Sequence, residues 1–112
     1  MKDNLEHILL RDHNDNGILR LTLNDEDNKN ALSNSMMQKL MKAISDASND
    51  NSVNVIIISS TGNVFCSGHN LKEINEAKKA NDKGESYYLE LFKSCSTLMQ
   101  LIINCQKPVI AE

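Results

Sequence analysis

Cys66, Ser67, Gly68, His69 and Asn70 are five small or polar residues in a row, and two of them carry side chains suited to chemistry near neutral pH. Imidazole is the usual base in that range, and a thiol in a loop ahead of a helix can be acidified. The backbone offers a third chemistry. A glycine lets the chain approach a ligand closely, and N–H groups entering a helix can point at an anion or at a developing oxyanion. The plainer alternative is a simple turn from strand to helix. Cys66 and His69 also form a C-x-x-H half-site, but zinc needs two more ligands at matching spacing and His7, His13, Cys95 and Cys105 supply none, so no metal is expected. Nothing in the spacing supports Cys66 as a nucleophile. Glu73, Glu76, Glu85 and Glu90 lie on or before the longest helical pattern and read as surface charges.

The elements that must hold this loop are legible on both sides of it. Val55, Ile56, Ile57, Ile58 and Ser59 form a β-branched apolar run within a stretch from about 53 to 60, the pattern of a strand buried on both faces. Thr61-Gly62-Asn63 breaks it, and Leu71-Lys72-Glu73-Ile74 can start a helical turn reaching about Ala80. A buried strand whose carboxyl end opens into a glycine-containing loop is where α/β sheets usually hold ligands. Upstream, His7 to Arg11 and Ile18 to Leu23 are apolar-rich runs joined by turn formers, a β-hairpin over about 7–23. Asn24 to Asn30 reads as a polar loop, and its asparagines as loop composition. Ser33 is a good N-cap for a helix over about 34–48, with Met37, Leu40, Met41, Ile44 and Ala47 on one face. Downstream, Tyr88, Leu91, Phe92, Cys95, Leu98, Met99 and Ile102 predict one continuous apolar stripe on a helix over about 86–104. Lys107-Pro108 ends it, and a strand starts from 108.

Composition narrows the possibilities. The 112 residues form one domain at most, with 40% hydrophobic and 4% aromatic residues, so the core is aliphatic. Twelve basic and fifteen acidic residues are mixed along the chain for a net charge of −3, which offers no basic stripe for nucleic acid. Three irregularly spaced cysteines fit a reducing compartment. The N-terminus shows early acids and no apolar run, so no leader is expected there, and no segment reaches the roughly 18 apolar residues of a membrane span. The expected location is cytoplasmic.

Three ordered motifs carry a resemblance: Leu21-Thr22-Leu23-Asn24 with Asn30-Ala31-Leu32-Ser33, then Phe65 to Leu71, then Lys107-Pro108-Val109-Ile110-Ala111. Together they resemble the crotonase (enoyl-CoA hydratase/isomerase) superfamily, from about Ile18 to Glu112, over less than half of that family's usual length. The form Ser67-Gly68-His69-Asn70-Leu71-Lys72-Glu73 looks most like its enoyl-CoA hydratase domain-containing group. The resemblance implies an α/β fold, the N-terminal half of the crotonase-like (ClpP/crotonase) ββα spiral. It also implies a protein acting on acyl-CoA thioesters with no covalently bound cofactor. Full-length relatives are expected to be homotrimers or hexamers.

The resemblance further assigns residues. Gly68 and the backbone N–H of His69 would form one arm of an oxyanion hole, within a loop over 65–70, the His69 side chain facing away from the thioester. Lys29 would contact CoA phosphates, with Ala31 and Leu32 as an apolar wall, and the backbone around Cys66 and Ser67 would meet the adenine edge. A solvated loop lysine followed by a helix cap is the alternative for Lys29. Asn70 stands where many members carry Asp; either caps a helix, but the change weakens any inference to one reaction. The family's two catalytic glutamates and its second oxyanion donor belong to segments after the Lys107–Ala111 strand. Whether the chain is an enzyme therefore stays open. Because it stops within an apparent strand at Ala111-Glu112, the alternative is a non-catalytic truncated paralogue or interaction module.

Overall fold

The computed structural model describes residues 7–112; the stretch read as leaderless, Met1 to Glu6, lies outside them. In chain order the elements are β1 (Leu9–His13), β2 (Ile18–Leu23), a 3-10 turn at Glu26–Asn28, α1 (Asn34–Ser48), β3 (Val55–Ser60), α2 (Leu71–Ala77), α3 (Glu85–Ile103) and β4 (Val109–Ala111).

The four strands form one sheet in the order β1-β2-β3-β4. β1 and β2 pair antiparallel, Leu9 opposite Leu23 and His13 opposite Leu19. Their turn is held by the Asn14 side-chain oxygen, which accepts from the N–H groups of Asn16 at 2.9 Å and Ile18 at 3.0 Å. Such a side chain mimics a backbone turn. β2 and β3 run parallel, with α1 as the crossover, and β4 adds parallel to β3.

Alternation decides which sheet face is covered. Leu19, Leu21 and Leu23 fall on one face, beside Ile56 and Ile58 of β3, and pack against Met36, Met37, Leu40 and Ile44 of α1. Leu91 and Leu98 of α3 close the same core. α1 starts where Ser33 Oγ accepts from the Met36 N–H at 3.1 Å.

Two expectations need correction. β3 is not buried on both faces: Ile56 and Ser59 are buried, while Val55, Ile57 and Ile58 are half-buried. Among the described residues the helices pack on one side only. The other side carries the Thr22–Ser59 hydroxyl pair at 3.0 Å and the Arg20–Glu112 ion pair, with Ile110 exposed. The α3 stripe is also not continuous. Leu91, Cys95, Leu98 and Ile102 meet the core, whereas Leu89, Phe92, Met99 and Ile103 face outward, Phe92 at 65% and Ile103 at 78% exposure. Successive residues four and three apart share a helix face, so the apolar positions of α3 sort into two faces rather than one.

Candidate active site

The loop after β3 owes its shape to a second loop, residues 25–32, lying against it. Asn30 is the joint between them. It is 1% exposed, and its side-chain oxygen accepts from the Asp25 N–H at 2.7 Å. Its amide donates to the carbonyls of Thr61 and Val64, each at 2.9 Å. Three of the four hydrogen bonds open to one buried amide are thus made, one closing the 25–30 turn and two tying it to the chain after β3. Lys29 and Asn30 both adopt left-handed backbone, φ 54° and 55°, which costs roughly 1–2 kcal/mol per residue and is tolerated best by glycine and asparagine. The composition reading of Asn30 missed this role; an Asn in the run before Ala31-Leu32-Ser33, at the end of a polar turn, was the available signal.

Further along, the two loops zip together. The Ser67 N–H donates to the Lys29 carbonyl at 3.2 Å, and the Leu32 N–H donates to the Gly68 carbonyl at 2.6 Å. Leu32 and His69 form an isolated parallel bridge. Gly68 has φ +93°, and a Cβ built there would meet no heavy atom within 4 Å. The glycine is therefore required by its backbone angle, and the space beside it is open. Among the described residues the His69 N–H has no hydrogen-bond partner. Asn70 follows as the cap of α2, its side-chain oxygen accepting from the Glu73 N–H at 3.1 Å.

An open cleft of about 270 Å³ lies between the loops, lined by Asp27, Asn28, Lys29, Ala31, Ser67, His69, Asn70, Leu71 and Lys72. Of the residues singled out in the sequence, Lys29, Ala31, Ser67 and His69 meet there, and Gly68 sits between two of them. Leu32 and Cys66 do not line it; both side chains pack on the hydrophobic core. The structure thus places them behind the loops as anchors rather than as walls of the cleft. Lys72 is a second cation at the same cleft, which the reading by residue type did not pick out. Its Nζ reaches the Asn28 side-chain oxygen at 3.4 Å, so its ammonium spans the gap between loops.

Glu73 departs from its reading as a surface charge. It is half-buried, and its carboxylate accepts from the Asn34 N–H at 3.0 Å and from the Tyr87 hydroxyl at 3.4 Å. It therefore joins α2 to the start of α1 and to α3. Burial raises the pKa of the Tyr87 hydroxyl above its ordinary value, and the neighbouring Glu73 charge raises it further. Glu76, Glu85 and Glu90 are exposed. Among the described residues no three His, Cys, Asp or Glu side chains gather to hold a metal ion. No helix among them is long and apolar enough to cross a membrane.

Comparison with known proteins matches residues 13–112 to the enoyl-CoA hydratase/isomerase family. The chain is 45% identical over 105 residues to enoyl-CoA hydratase domain-containing protein 3, mitochondrial, of Xenopus laevis, covering 94% of this chain and 33% of that protein. It is 41% identical over 95 residues to the protein of the same description in Homo sapiens, covering 85% of this chain and 30% of the human one. Among solved structures, an enoyl-CoA hydratase of Mycobacterium smegmatis superposes with a TM-score of 0.82 at 36% identity, over 93% of this chain and 38% of that one. Human enoyl-CoA hydratase domain-containing protein 3 superposes at 0.81 and 35% identity, over 94% and 39%. The chain spans about a third of the length of these curated relatives. Sequence and backbone agree, and the chain belongs to the enoyl-CoA hydratase/isomerase family, with the crotonase fold over the part it spans.

Proposed function

We propose that this chain supplies the thioester-binding part of an enoyl-CoA hydratase/isomerase-like protein, with an acyl-CoA as its ligand. The observation that carries the reading is that Lys29, Lys72, Ser67 and His69 line one open cleft and that, among the described residues, the His69 N–H has no hydrogen-bond partner. The His69 N–H is a preformed donor for the thioester oxygen, which gains negative charge if an enolate develops. Fixed by the Gly68–Leu32 hydrogen bond, it would need no reorganisation when that charge appears. Two ammonium groups on the rim suit the phosphates of the CoA nucleotide. Ala31, 4% exposed, gives that rim a small apolar floor. Glu73 is engaged with Asn34 and Tyr87, away from the cleft lining, where Asp27 is the carboxylate among the described residues.

A single oxyanion donor binds better than it turns over, because losing one such donor alone costs about 10² to 10³ in rate. The full chain is therefore expected to bind CoA and to show no crotonyl-CoA hydration. Isothermal titration with CoA tests the reading. Saturable binding that weakens about tenfold in the Lys29→Ala, Lys72→Ala double variant supports it. Unchanged binding in that variant, or none to the unaltered chain at millimolar CoA, overturns it.

A further inference from the structure

The cleft has two walls, and what fixes the distance between them lies behind it. One wall runs from Asp27 to Ala31 and leads through Ser33 into α1; the other runs from Ser67 into the first turn of α2. Backbone bonds join them from Ser67 to Lys29 and from Leu32 to Gly68, and the bridge of Leu32 with His69 ends that zip. Beyond it, two side chains of α2 cross the gap. Lys72 reaches Asn28 in the open, on the cleft side. Glu73 crosses on the other side, its carboxylate accepting from the Asn34 N–H at 3.0 Å. That N–H is one of those the first turn of α1 leaves without an intrahelical partner, so one bond completes the start of α1 and fastens α2 to it.

Little else holds α2. It is seven residues long, none of them buried, and Ile74 is the side chain it packs on the hydrophobic core. Glu73 borders an open groove of about 600 Å³, lined also by Asn34, Tyr87 and Leu91. Close packing fixes an element's position through many contacts, and an element beside open space has fewer of them. The position of α2 against α1 then depends on particular bonds, those of Glu73 to Asn34 and to the Tyr87 hydroxyl among them.

We infer that Glu73 is a positioning residue for the cleft, its carboxylate setting the distance between the wall that carries Lys29 and the wall that carries Lys72. This deepens the CoA reading and rests on it. Successive helical residues are turned by roughly 100°, so Lys72 lines the cleft while Glu73 lines the groove. The carboxylate meets no ligand in the cleft. Its effect is carried by the Lys72 ammonium and by the His69 N–H just ahead of α2, and it depends on the reach of the side chain more than on its charge.

Isothermal titration of the full chain and its variants with CoA tests this. Glu73→Asp keeps the charge and shortens the side chain by a methylene; Glu73→Gln keeps the length and an acceptor oxygen and removes the charge. Binding should weaken about tenfold in Glu73→Asp, the scale of one net hydrogen bond, and less than about twofold in Glu73→Gln. A double-mutant cycle with Lys72→Ala gives a readout that a merely structural role would not move. In the Lys72→Ala background Glu73→Asp should cost only about threefold, because part of what it displaces is already gone. Unchanged binding in Glu73→Asp, binding lost in Glu73→Gln but kept in Glu73→Asp, or an equal loss in both backgrounds overturns the inference and leaves the CoA reading intact. No binding by the unaltered chain overturns both.

Discussion

The two long helices use their apolar residues differently. α1 buries Met36, Met37, Leu40, Ile44 and Ala47, and its other positions are mostly polar. α3 is four residues longer, 19 against 15, yet buries only Leu91 and Leu98 and leaves Leu89, Phe92, Met99 and Ile103 in the open. A helix with one apolar face is fully specified by one sheet. α3, with two such faces, is covered on one of them only, the one turned to α1. Their starts differ as well: α1 is capped by a hydroxyl, Ser33, whereas α3 begins at Gly84 without a side-chain cap of its own. Asp82 stands in, its carboxylate accepting from the N–H groups of Gly84 and Ser86, each at 3.0 Å.

The comparison sharpens into measurements. Ile44→Ala should cost the most, about 2–5 kcal/mol in chemical denaturation, because Ile44 is fully buried between α1 and the sheet. A loss under about 1 kcal/mol would break the claim that α1 is the better anchored helix. Leu98→Ala should fall toward the lower end of that range, since half-buried Leu101 and Ile102 beside it can relax into the space. Phe92→Ser on the outer face of the same helix should stay within about 0.5 kcal/mol. Equal losses at Leu98 and Phe92 would mean that α3 has no preferred face.

Ser33→Ala should cost about 1 kcal/mol by leaving the Met36 N–H without its cap, a value to be read from the denaturation midpoint. The smallest effect belongs to pH. Hydrogen bonds with Ser86, and then with the Gly84 N–H, hold the Asp82 carboxyl below its ordinary value of 3.8. A depressed carboxylate pKa gives stability that is present above 3.8 and lost as pH falls through the lower, folded-state value. Hydrogen-exchange protection at Ser86 to Tyr88, taken relative to the intrinsic rate at each pH, should therefore fall in acid through this range. The α1 start, capped by a hydroxyl, should be unaffected, and Asp82→Asn should flatten the response of α3.

Much of this arrangement was legible in the sequence, and the exceptions share a cause. α1 was legible because Met37, Leu40, Ile44 and Ala47 repeat at helical spacing behind a serine cap. The fold class was legible because three motifs occur in order. The split of α3 and the half-open face of β3 were not, since an apolar residue type records a tendency to be covered and not which neighbour covers it. In the candidate site, the residue types marked Ser67 and His69 and the family resemblance marked Lys29, and the three do share a cleft. The residue types did not mark Asn30, whose importance comes from partners 31 and 34 positions away, Thr61 and Val64. Leu32 and Cys66 were equally opaque, because whether an apolar or thiol side chain turns to a cleft or to the core is set by the backbone around it.

The parallel pairing of β2 with β3 has a consequence for how the molecule comes to its native state. Ile18 and Val55 are ladder neighbours, with the whole of α1 between them in the chain. A hairpin such as β1–β2 can zip from its turn, but this ladder must first close a long loop, and contact order of that kind slows folding. α1 shortens the search by converting most of the intervening chain into a rigid, amphipathic rod. The loop carrying Gly68 and His69 hangs from the far end of β3 and is clamped by residues on the other side of that crossover. The contacts that fix its geometry therefore carry the same loop-closure cost as the ladder itself, since their partners at Lys29, Asn30 and Leu32 also lie before α1.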